Sequence, residues 1–155
     1  MSLLKIAHIG HPVLRERAQS LSKEELETEK TQQFIDALVE TMRDANGAGL
    51  AANQVYNPIQ ICAIEVSDNP RYPYKPNVPL TILVNPEIVP LSEAQFDNYE
   101  GCLSVPNLRG MVRRHAEIRV TGLERDGAPF DRTVAGLTAG TFQHEIDHLD
   151  GKLFI

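Results

Sequence analysis

The sequence predicts a single domain that combines α-helices with β-strands. Helical spacing of apolar residues occurs near both ends of the chain, at 23–45 and 138–149, and strand-like alternation occurs between them. The 155 residues are 42% hydrophobic, which is enough for one compact core without disulfide bonds. Because the sequence contains no repeat, low-complexity tract or second domain, we expect residues 1–155 to form one domain.

The first predicted helix covers residues 23–45. Its apolar residues recur at nearly helical spacing with charges between them, namely Leu26, Phe34, Leu38 and Met42. Ser22 and Glu25 have the spacing of a capping box at its start, and an Asn-Gly pair provides a stop at its end. The second predicted helix, 138–149, is followed by Gly151, which is typical of a helix end.

The predicted strands lie between these helices. Two β-rich runs, 59–66 and 80–84, flank a proline-rich connection at 69–79 that we interpret as a surface loop. Residues 112–123 alternate as a strand, and 129–134 can return antiparallel to it after an Arg-Asp-Gly turn. The sequence therefore predicts a β-hairpin just before the last helix.

The composition argues against several classes of protein. The formal net charge of −6 and the pI of about 5.3 lack the basic character of DNA-binding or membrane-surface proteins, so any RNA contact would be local. No apolar run is long enough to span a bilayer, and the N-terminus lacks the pattern of a signal or transit peptide. Two dissimilar cysteines, Cys62 and Cys102, are compatible with a reducing compartment. We therefore expect a cytoplasmic protein that binds neither DNA nor membrane.

The strongest chemical motif lies in the second predicted helix. His144, Glu145 and His148 form an HExxH sequence. Positions i and i+4 are only about 40° apart around a helix, so both imidazoles can reach one metal ion while the carboxylate lies beside it. The motif predicts a site for metal-assisted hydrolysis.

A catalytic zinc-type site usually has three protein ligands, so a third must exist. Only Asp150 offers an acidic side chain after His148, and an upstream residue is therefore the better candidate. Cys102 lies in a polar stretch bounded by Gly and Pro, where we expect a thiolate exposed enough to bind metal. Cys62 lies in an apolar run and is expected to be an inert core thiol. The remaining histidines lack a ligand-spaced partner and are interpreted as surface or packing residues: His8, His11 and His115.

A third polar group comes from the small-residue stretch GAGLAANQ at 47–54. Its glycines alone would also suit a loose helix-to-strand connection. Gln54 favours a functional interpretation, because an amide beside a metal-activated water can donate a hydrogen bond to a developing oxyanion. The flanking small residues would let a substrate backbone approach closely.

Taken together, three segments resemble the motifs of the peptide deformylase family: GAGLAANQ at 47–54, EGCLS at 100–104 and QHEIDH at 143–148. The HPVLRERA opening and the ERDGAPF hairpin extend the resemblance over nearly the whole chain. It implies an α+β fold in which the HExxH helix packs among small antiparallel β-sheets.

The resemblance also implies roles for individual residues. Cys102, His144 and His148 would be the metal ligands, and Glu145 the general acid and base. Gln54 and the backbone N–H of Leu103 would donate to the oxyanion. The reaction implied is removal of the formyl group from the N-terminal formyl-methionine of nascent polypeptides, by attack of a metal-activated hydroxide and release of formate.

The same resemblance assigns the substrate site. The backbones of Gly49 and Gly101 are suited to pair with an extended peptide as an added strand. The methionine pocket would be lined or adjoined by the residues that match the family there, with an arginine near its rim: Ala48, Leu50, Leu137, Thr141 and Arg109. A transient ribosome contact is a further expected partner interaction, although the sequence stops at Ile155 without the C-terminal extension of many bacterial members.

Two positions depart from the family pattern in a way that bears on substrate. Gly140 and Thr141 are smaller or more polar than the apolar residues common there, which would alter the methionine pocket. By resemblance we expect one divalent ion per chain, with Fe(2+) as the native metal. Zn(2+), Ni(2+) and Co(2+) also accept a Cys/His/His ligand set. The alternatives are another amide hydrolase, a deformylase-like metal-binding protein with little turnover, and a structural zinc site.

Overall fold

A computed structural model describes residues 3–155 of the chain. Five strands form an antiparallel sheet with the order β1-β2-β3-β6-β7, and two more strands form a separate β4–β5 hairpin. The strands are β1 (Gly49–Ala51), β2 (Ile61–Val66), β3 (Val78–Pro90), β4 (Gln95–Cys102), β5 (Val105–His115), β6 (Glu117–Leu123) and β7 (Pro129–Ala135). The helices are α1 (Lys23–Glu27), α2 (Glu29–Asp44) and α3 (Gly136–Leu149), with short 3₁₀ helices at Pro12–Arg15 and Ala52–Val55. This is the single α+β domain that the sequence predicts.

The five-stranded sheet is covered on both faces, and strand β2 shows how. Cys62 and Ile64 point into the core cluster that contains Phe142 of α3. Ile61 and Ala63 point into the opposite cluster, which is built on α2. Successive strand residues face opposite sides of a sheet, so a run of apolar residues fits a strand buried on both faces. The sheet thus fixes α3, the predicted HExxH helix, by its apolar face.

The predicted helix over 23–45 is correct in position but wrong as one continuous helix. Ser22 and Glu25 form the predicted capping box. The chain then leaves helical geometry at Thr28, whose backbone is extended at φ −65° and ψ 145°. Its hydroxyl accepts a hydrogen bond from the N–H of Thr31 and so caps α2. The cap formed by Thr28 therefore separates α1 from α2, although the helical spacing of apolar residues continues through this position.

The hairpin before the last helix is confirmed, but the strand predicted at 112–123 is two strands. β6 and β7 pair antiparallel from Glu117↔Ala135 to Leu123↔Pro129. β5 ends at His115 and belongs to the other sheet. The break lies at Ala116, whose N–H donates to the carbonyl of Ala94 at 2.9 Å.

The β4–β5 hairpin is the element that the sequence analysis missed. The stretch around Cys102 was predicted as a polar loop, but it forms the end of β4 and the turn into β5. The inward residues of β4 alternate as a strand requires, but they are Asn98, Glu100 and Cys102 rather than apolar residues. Because the buried face of β4 is mainly polar, the hydrophobic pattern of the sequence did not indicate a strand here.

Two further observations bear on the earlier expectations. The connection at 69–79 has no regular structure as far as residue 77, as predicted, but its Tyr72 is only 4% exposed. Within residues 3–155, no helix combines the length and the apolarity needed to cross a bilayer.

Candidate active site

Helix α3 brings His144 and His148 together on one side, one turn apart. Their Nε2 atoms are 3.2 Å from each other, and both side chains are buried. The opposite side of the helix carries Phe142 and Leu149 into the apolar core. The sheet-facing side therefore anchors the helix, and the other side presents two imidazoles in fixed positions.

Cys102 at the end of β4 completes a three-residue metal site. Its Sγ is 3.4 Å from Nε2 of His148, and the ligand atoms of Cys102, His144 and His148 all lie within 4.8 Å of one another. Cys102 is only 4% exposed, less than a polar loop would leave it, but its sulfur faces both histidines as a metal ligand must. Cys62, the other cysteine, is fully buried in β2, and burial raises the pKa of its thiol.

The spacing and charge of these groups fit a divalent ion. Atoms about 2.0–2.3 Å from one ion at tetrahedral angles lie roughly 3.3–3.7 Å from each other, close to the two shortest separations here. Burial alone would lower the pKa of His144, but Glu145, Cys102 and Glu100 together raise that pKa to about 10. A cluster that draws a proton onto an imidazole attracts a metal cation for the same reason.

Glu100 fixes the orientation of His144 through the imidazole nitrogen that points away from the metal site. Its carboxylate accepts from the guanidinium of Arg114 in two hydrogen bonds of 2.7 Å and lies 2.8 Å from Nδ1 of His144. Burial would raise the pKa of Glu100, but these partners outweigh burial and lower it to about 2. Arg114 also donates to Asp147 on α3 at 2.6 Å. An ionised carboxylate on the far nitrogen fixes the ring of His144 with Nε2 facing the ion site.

Glu145 is buried beside the metal ligands without a partner for one of its oxygens. Its Oε1 has no hydrogen-bond partner within residues 3–155, and burial raises the pKa of the carboxyl group. The space for this side chain comes from Gly49 in β1. A Cβ atom at that position would lie 2.5 Å from Cδ of Glu145. A buried carboxylate with an unpaired oxygen next to a metal site is placed to accept a proton.

Gln54 reaches the site from the 3₁₀ helix that follows β1. Its Oε1 accepts from the N–H of Ala51 at 2.9 Å, which fixes the orientation of the amide. Its Nε2 donates to Oγ of Ser104 at 3.0 Å and lies 3.5 Å from Sγ of Cys102. One N–H of the amide therefore donates to Ser104, and the other points at the sulfur of Cys102 in the metal site.

A cavity opens in front of Glu145. Its lining includes six of the predicted substrate and oxyanion positions: Ala48, Gly49, Gln54, Gly101, Leu103 and Thr141. It also includes residues that the sequence analysis did not select, namely Arg71, Tyr72, Lys75, Asn98 and Glu100. Glu100 could have been found from the sequence, because it stands two positions before Cys102 and so faces the same side of a strand.

Three predicted substrate residues lie outside the lining. Leu50 is fully buried in the core beneath α2, so the structure places it away from the cavity. Leu137 adjoins the cavity through its carbonyl, which accepts from Oγ1 of Thr141 at 3.3 Å. Arg109 lies over the ring of Tyr72, which lines the cavity, at 4.6 Å.

Comparisons with known proteins agree with this geometry. A family model described as polypeptide deformylase matches residues 3–155. The chain is 40% identical to a peptide deformylase of Leptospira biflexa, over 100% of this chain and 87% of that protein. It is 42% identical to peptide deformylase 2 of Nostoc sp., over 99% and 84%.

A solved structure gives the same result for the fold. The class I type b peptide deformylase from Acinetobacter baumannii, bound to Met-Ala-Ser, superposes with a TM-score of 0.94 and is 38% identical, over 99% of this chain and 96% of that one. The fold and the Cys-His-His site define a metallohydrolase. The chain belongs to the peptide deformylase family.

Proposed function

We propose that this deformylase hydrolyses the formamide bond of N-formylated peptides, with formyl-methionyl nascent chains as substrates. The proposal depends on the buried carboxylate of Glu145, which lies beside the cluster of Cys102, His144 and His148. Its Oε1 has no hydrogen-bond partner among the described residues. The Acinetobacter relative was solved with Met-Ala-Ser, a peptide of the kind that this reaction releases.

The residues divide the reaction between them. A bound ion supplies Lewis-acid activation of a water and polarises the formyl oxygen. Glu145 takes the proton of the attacking water and returns it to the methionine nitrogen as the C–N bond breaks, which leaves formate and a free amine. Gln54 donates the N–H that faces Cys102 to the oxygen on which negative charge develops, and we assign the second donation to the backbone N–H of Leu103.

The substrate backbone approaches along residues that lack side chains. We propose that Gly49 and Gly101, which both line the cavity, pair with the extended peptide. Ala48 and Thr141 then contact its first side chain, and Leu137 and Arg109 adjoin them. Leu50 supports this wall from the core rather than touching substrate.

The metal and the cellular setting are part of the proposal. By family resemblance we expect Fe(2+) to be the native ion, and the Cys/His/His set also accepts Zn(2+), Ni(2+) or Co(2+). Both cysteines are free thiols, which agrees with the reducing cytoplasm where nascent chains are made. Metal analysis and activity measured on one anaerobically purified sample test the ion. Co-sedimentation with translating ribosomes tests the transient contact.

The central experiment is hydrolysis of formyl-Met-Ala by the wild type and Glu145→Gln. The variant should keep its metal and lose about 10²–10⁴-fold in turnover, because it removes the proton carrier without removing a ligand. Glu27→Gln on the exposed side of α1 is the matched control and should behave as wild type. Undiminished turnover in Glu145→Gln would refute the mechanism. An inactive wild type with a full complement of metal would favour the binding-protein alternative.

A further inference from the structure

Tyr72 is buried although it belongs to the irregular connection between β2 and β3. It lines the cavity in front of Glu145. The guanidinium carbons of Arg71 and Arg109 and the ammonium nitrogen of Lys75 lie 5.3, 4.6 and 4.2 Å from the centre of its ring. A cation over an aromatic face is attracted by the negative charge of the π-system. Three such contacts therefore hold the ring in place.

The chain around Tyr72 is tied to two neighbouring elements. Arg109 on β5 donates from Nη2 to the carbonyl of Arg71 at 2.8 Å. Lys75 donates from Nζ to the hydroxyl of Thr141 on α3 at 3.0 Å. The loop is thus anchored on both sides of the ring. A side chain held in this way loses little conformational freedom when it contacts a ligand.

The hydroxyl of Tyr72 forms no hydrogen bond within residues 3–155. Buried tyrosine hydroxyls usually have a partner. Burial raises the pKa of this phenol more than Arg71 and Arg109 lower it. Negative charge on Glu145 and Cys102 raises the same pKa further. The group is therefore a protonated O–H at neutral pH, and it has a hydrogen bond to donate.

This hydroxyl lies against Gly101, near the end of β4. A Cβ atom at position 101 would lie 3.0 Å from Oη of Tyr72, which is closer than most Cβ contacts. The glycine therefore leaves the hydroxyl directly beside the main chain of β4. Both residues line the same cavity. A peptide that pairs with Gly101 would pass next to this donor.

Strand geometry determines which part of such a peptide reaches Gly101. The side chain of Glu145 lies against Gly49, so the residue that bears the formyl group faces β1. In an extended chain, the N–H and C=O groups of successive residues point to opposite edges. The second residue of the peptide therefore directs its main-chain groups toward Gly101. Its carbonyl is an acceptor in need of a donor.

We propose that Tyr72 is a substrate-positioning residue, whose hydroxyl donates a hydrogen bond to the main-chain carbonyl of the residue after the formyl-methionine. The proposal rests on the proposed function for the pairing of the peptide with Gly49 and Gly101. Because the contact involves a main-chain atom, it does not depend on the second side chain. The carbonyl is remote from the bond that breaks, so loss of the contact should raise KM and leave kcat nearly unchanged.

The test removes each partner of this hydrogen bond in turn. Formyl-Met-Ala-amide carries the carbonyl, and formyl-Met-isopropylamide has a methyl group in place of the terminal carboxamide. Tyr72→Phe should lower kcat/KM for the first substrate about 3–10-fold, through KM, and leave that for the second unchanged. Phenylalanine keeps the ring contacts, so metal content and the thermal midpoint should match the wild type. Tyr74→Phe, at an exposed position of the same loop, is the matched control and should leave both substrates unaffected.

Calorimetry with Met-Ala-Ser separates this inference from the proposed function. The peptide should bind metal-loaded Tyr72→Phe about 3–10-fold more weakly than metal-loaded wild type. If no formylated substrate is hydrolysed, the proposed function fails, while this difference in binding still supports the role of Tyr72. Equal binding to the two proteins overturns the inference. An equal loss of kcat/KM with both substrates would indicate a general structural role, and a loss confined to kcat would place the hydroxyl at the reacting carbon. Either result overturns the inference as well.

Discussion

The five-stranded sheet and the β4–β5 hairpin both contact α3, but they bury different kinds of side chain against it. The sheet contributes apolar residues such as Ile64, Ile118 and Val120. The inward face of β4 contributes Asn98 and Glu100, followed by Cys102. Both use the same strand alternation, so the contrast lies in chemistry rather than in backbone geometry.

This difference shows how one domain divides stability from reactivity. Apolar burial by the sheet fixes α3 without specifying what its other side does. The hairpin buries polar groups, which is tolerable only because Arg114, His144 and Asp147 satisfy them. Changes to the buried polar residues of the hairpin should therefore affect metal binding and turnover, and changes to the apolar core residues of the sheet should affect stability alone.

The largest effect is expected for the hairpin cysteine. Cys102→Ala removes a metal ligand and should leave little bound ion after dialysis. Residues that only orient a ligand typically cost about 10–100-fold in affinity or activity, so loss of the ligand itself should cost more. Elemental analysis and hydrolysis of formyl-Met-Ala measure both. If this variant kept a full equivalent of metal and normal turnover, Cys102 would not be a metal ligand and the hairpin would not contribute to the metal site.

Gln54 is the next test, because it connects the two regions. It follows β1 of the sheet and donates to Ser104 in the hairpin. Gln54→Ala should lower kcat by about 10²–10³-fold with a smaller effect on substrate binding, as expected for a donor to the transition state. Steady-state kinetics make the distinction. A rise in KM alone would make Gln54 a binding residue.

Two ion pairs within the hairpin provide a smaller and internally controlled contrast. Glu100→Gln disrupts the buried contacts with Arg114 and His144, and should weaken metal binding about 10–100-fold. It should also lower the free energy of unfolding by about 3–5 kcal/mol. Asp97→Asn removes the exposed pair with Arg113 on the same two strands and should change neither quantity appreciably. If Glu100→Gln and Asp97→Asn changed metal affinity and the free energy of unfolding equally, the buried pair would have no special role in the metal site.

The smallest effect is expected for the cysteine in the sheet. Cys62 is fully buried among apolar neighbours in β2. Cys62→Ala should lower the free energy of unfolding by about 1 kcal/mol through lost packing and leave metal content and kcat unchanged. Denaturant unfolding and metal analysis of one preparation suffice. Loss of metal in this variant would show that a cysteine of the sheet takes part in metal binding.

The same contrast explains what could be predicted from the sequence. The residues of β2, β6, β7 and α3 have apolar patterns that match their elements, and the pair His144 and His148 follows from helical spacing alone. The β4–β5 hairpin was missed because alternation of apolar and polar residues indicates a strand only when the side chains on its buried face are apolar. The break at Thr28 was missed because a single side-chain cap carries no periodic signal.

Lys75 could not have been selected from the sequence for a different reason. It lies in an irregular, proline-rich connection, where no period predicts the direction of a side chain. Its position depends on Thr141, which is 66 residues away in the chain. Contacts between an irregular loop and a distant helix are set by the tertiary fold, so they become visible only in the structure.

The placement of the metal ligands also has a consequence for the polymer itself. Cys102 and His148 are 46 residues apart in sequence, and β5, β6, β7 and most of α3 lie between them. An ion shared by these ligands closes that whole stretch into a ring, as a disulfide bond would, and reduces the conformational entropy of the unfolded chain only while it stays bound. The free energy of unfolding is therefore expected to rise with the concentration of free metal in its surroundings.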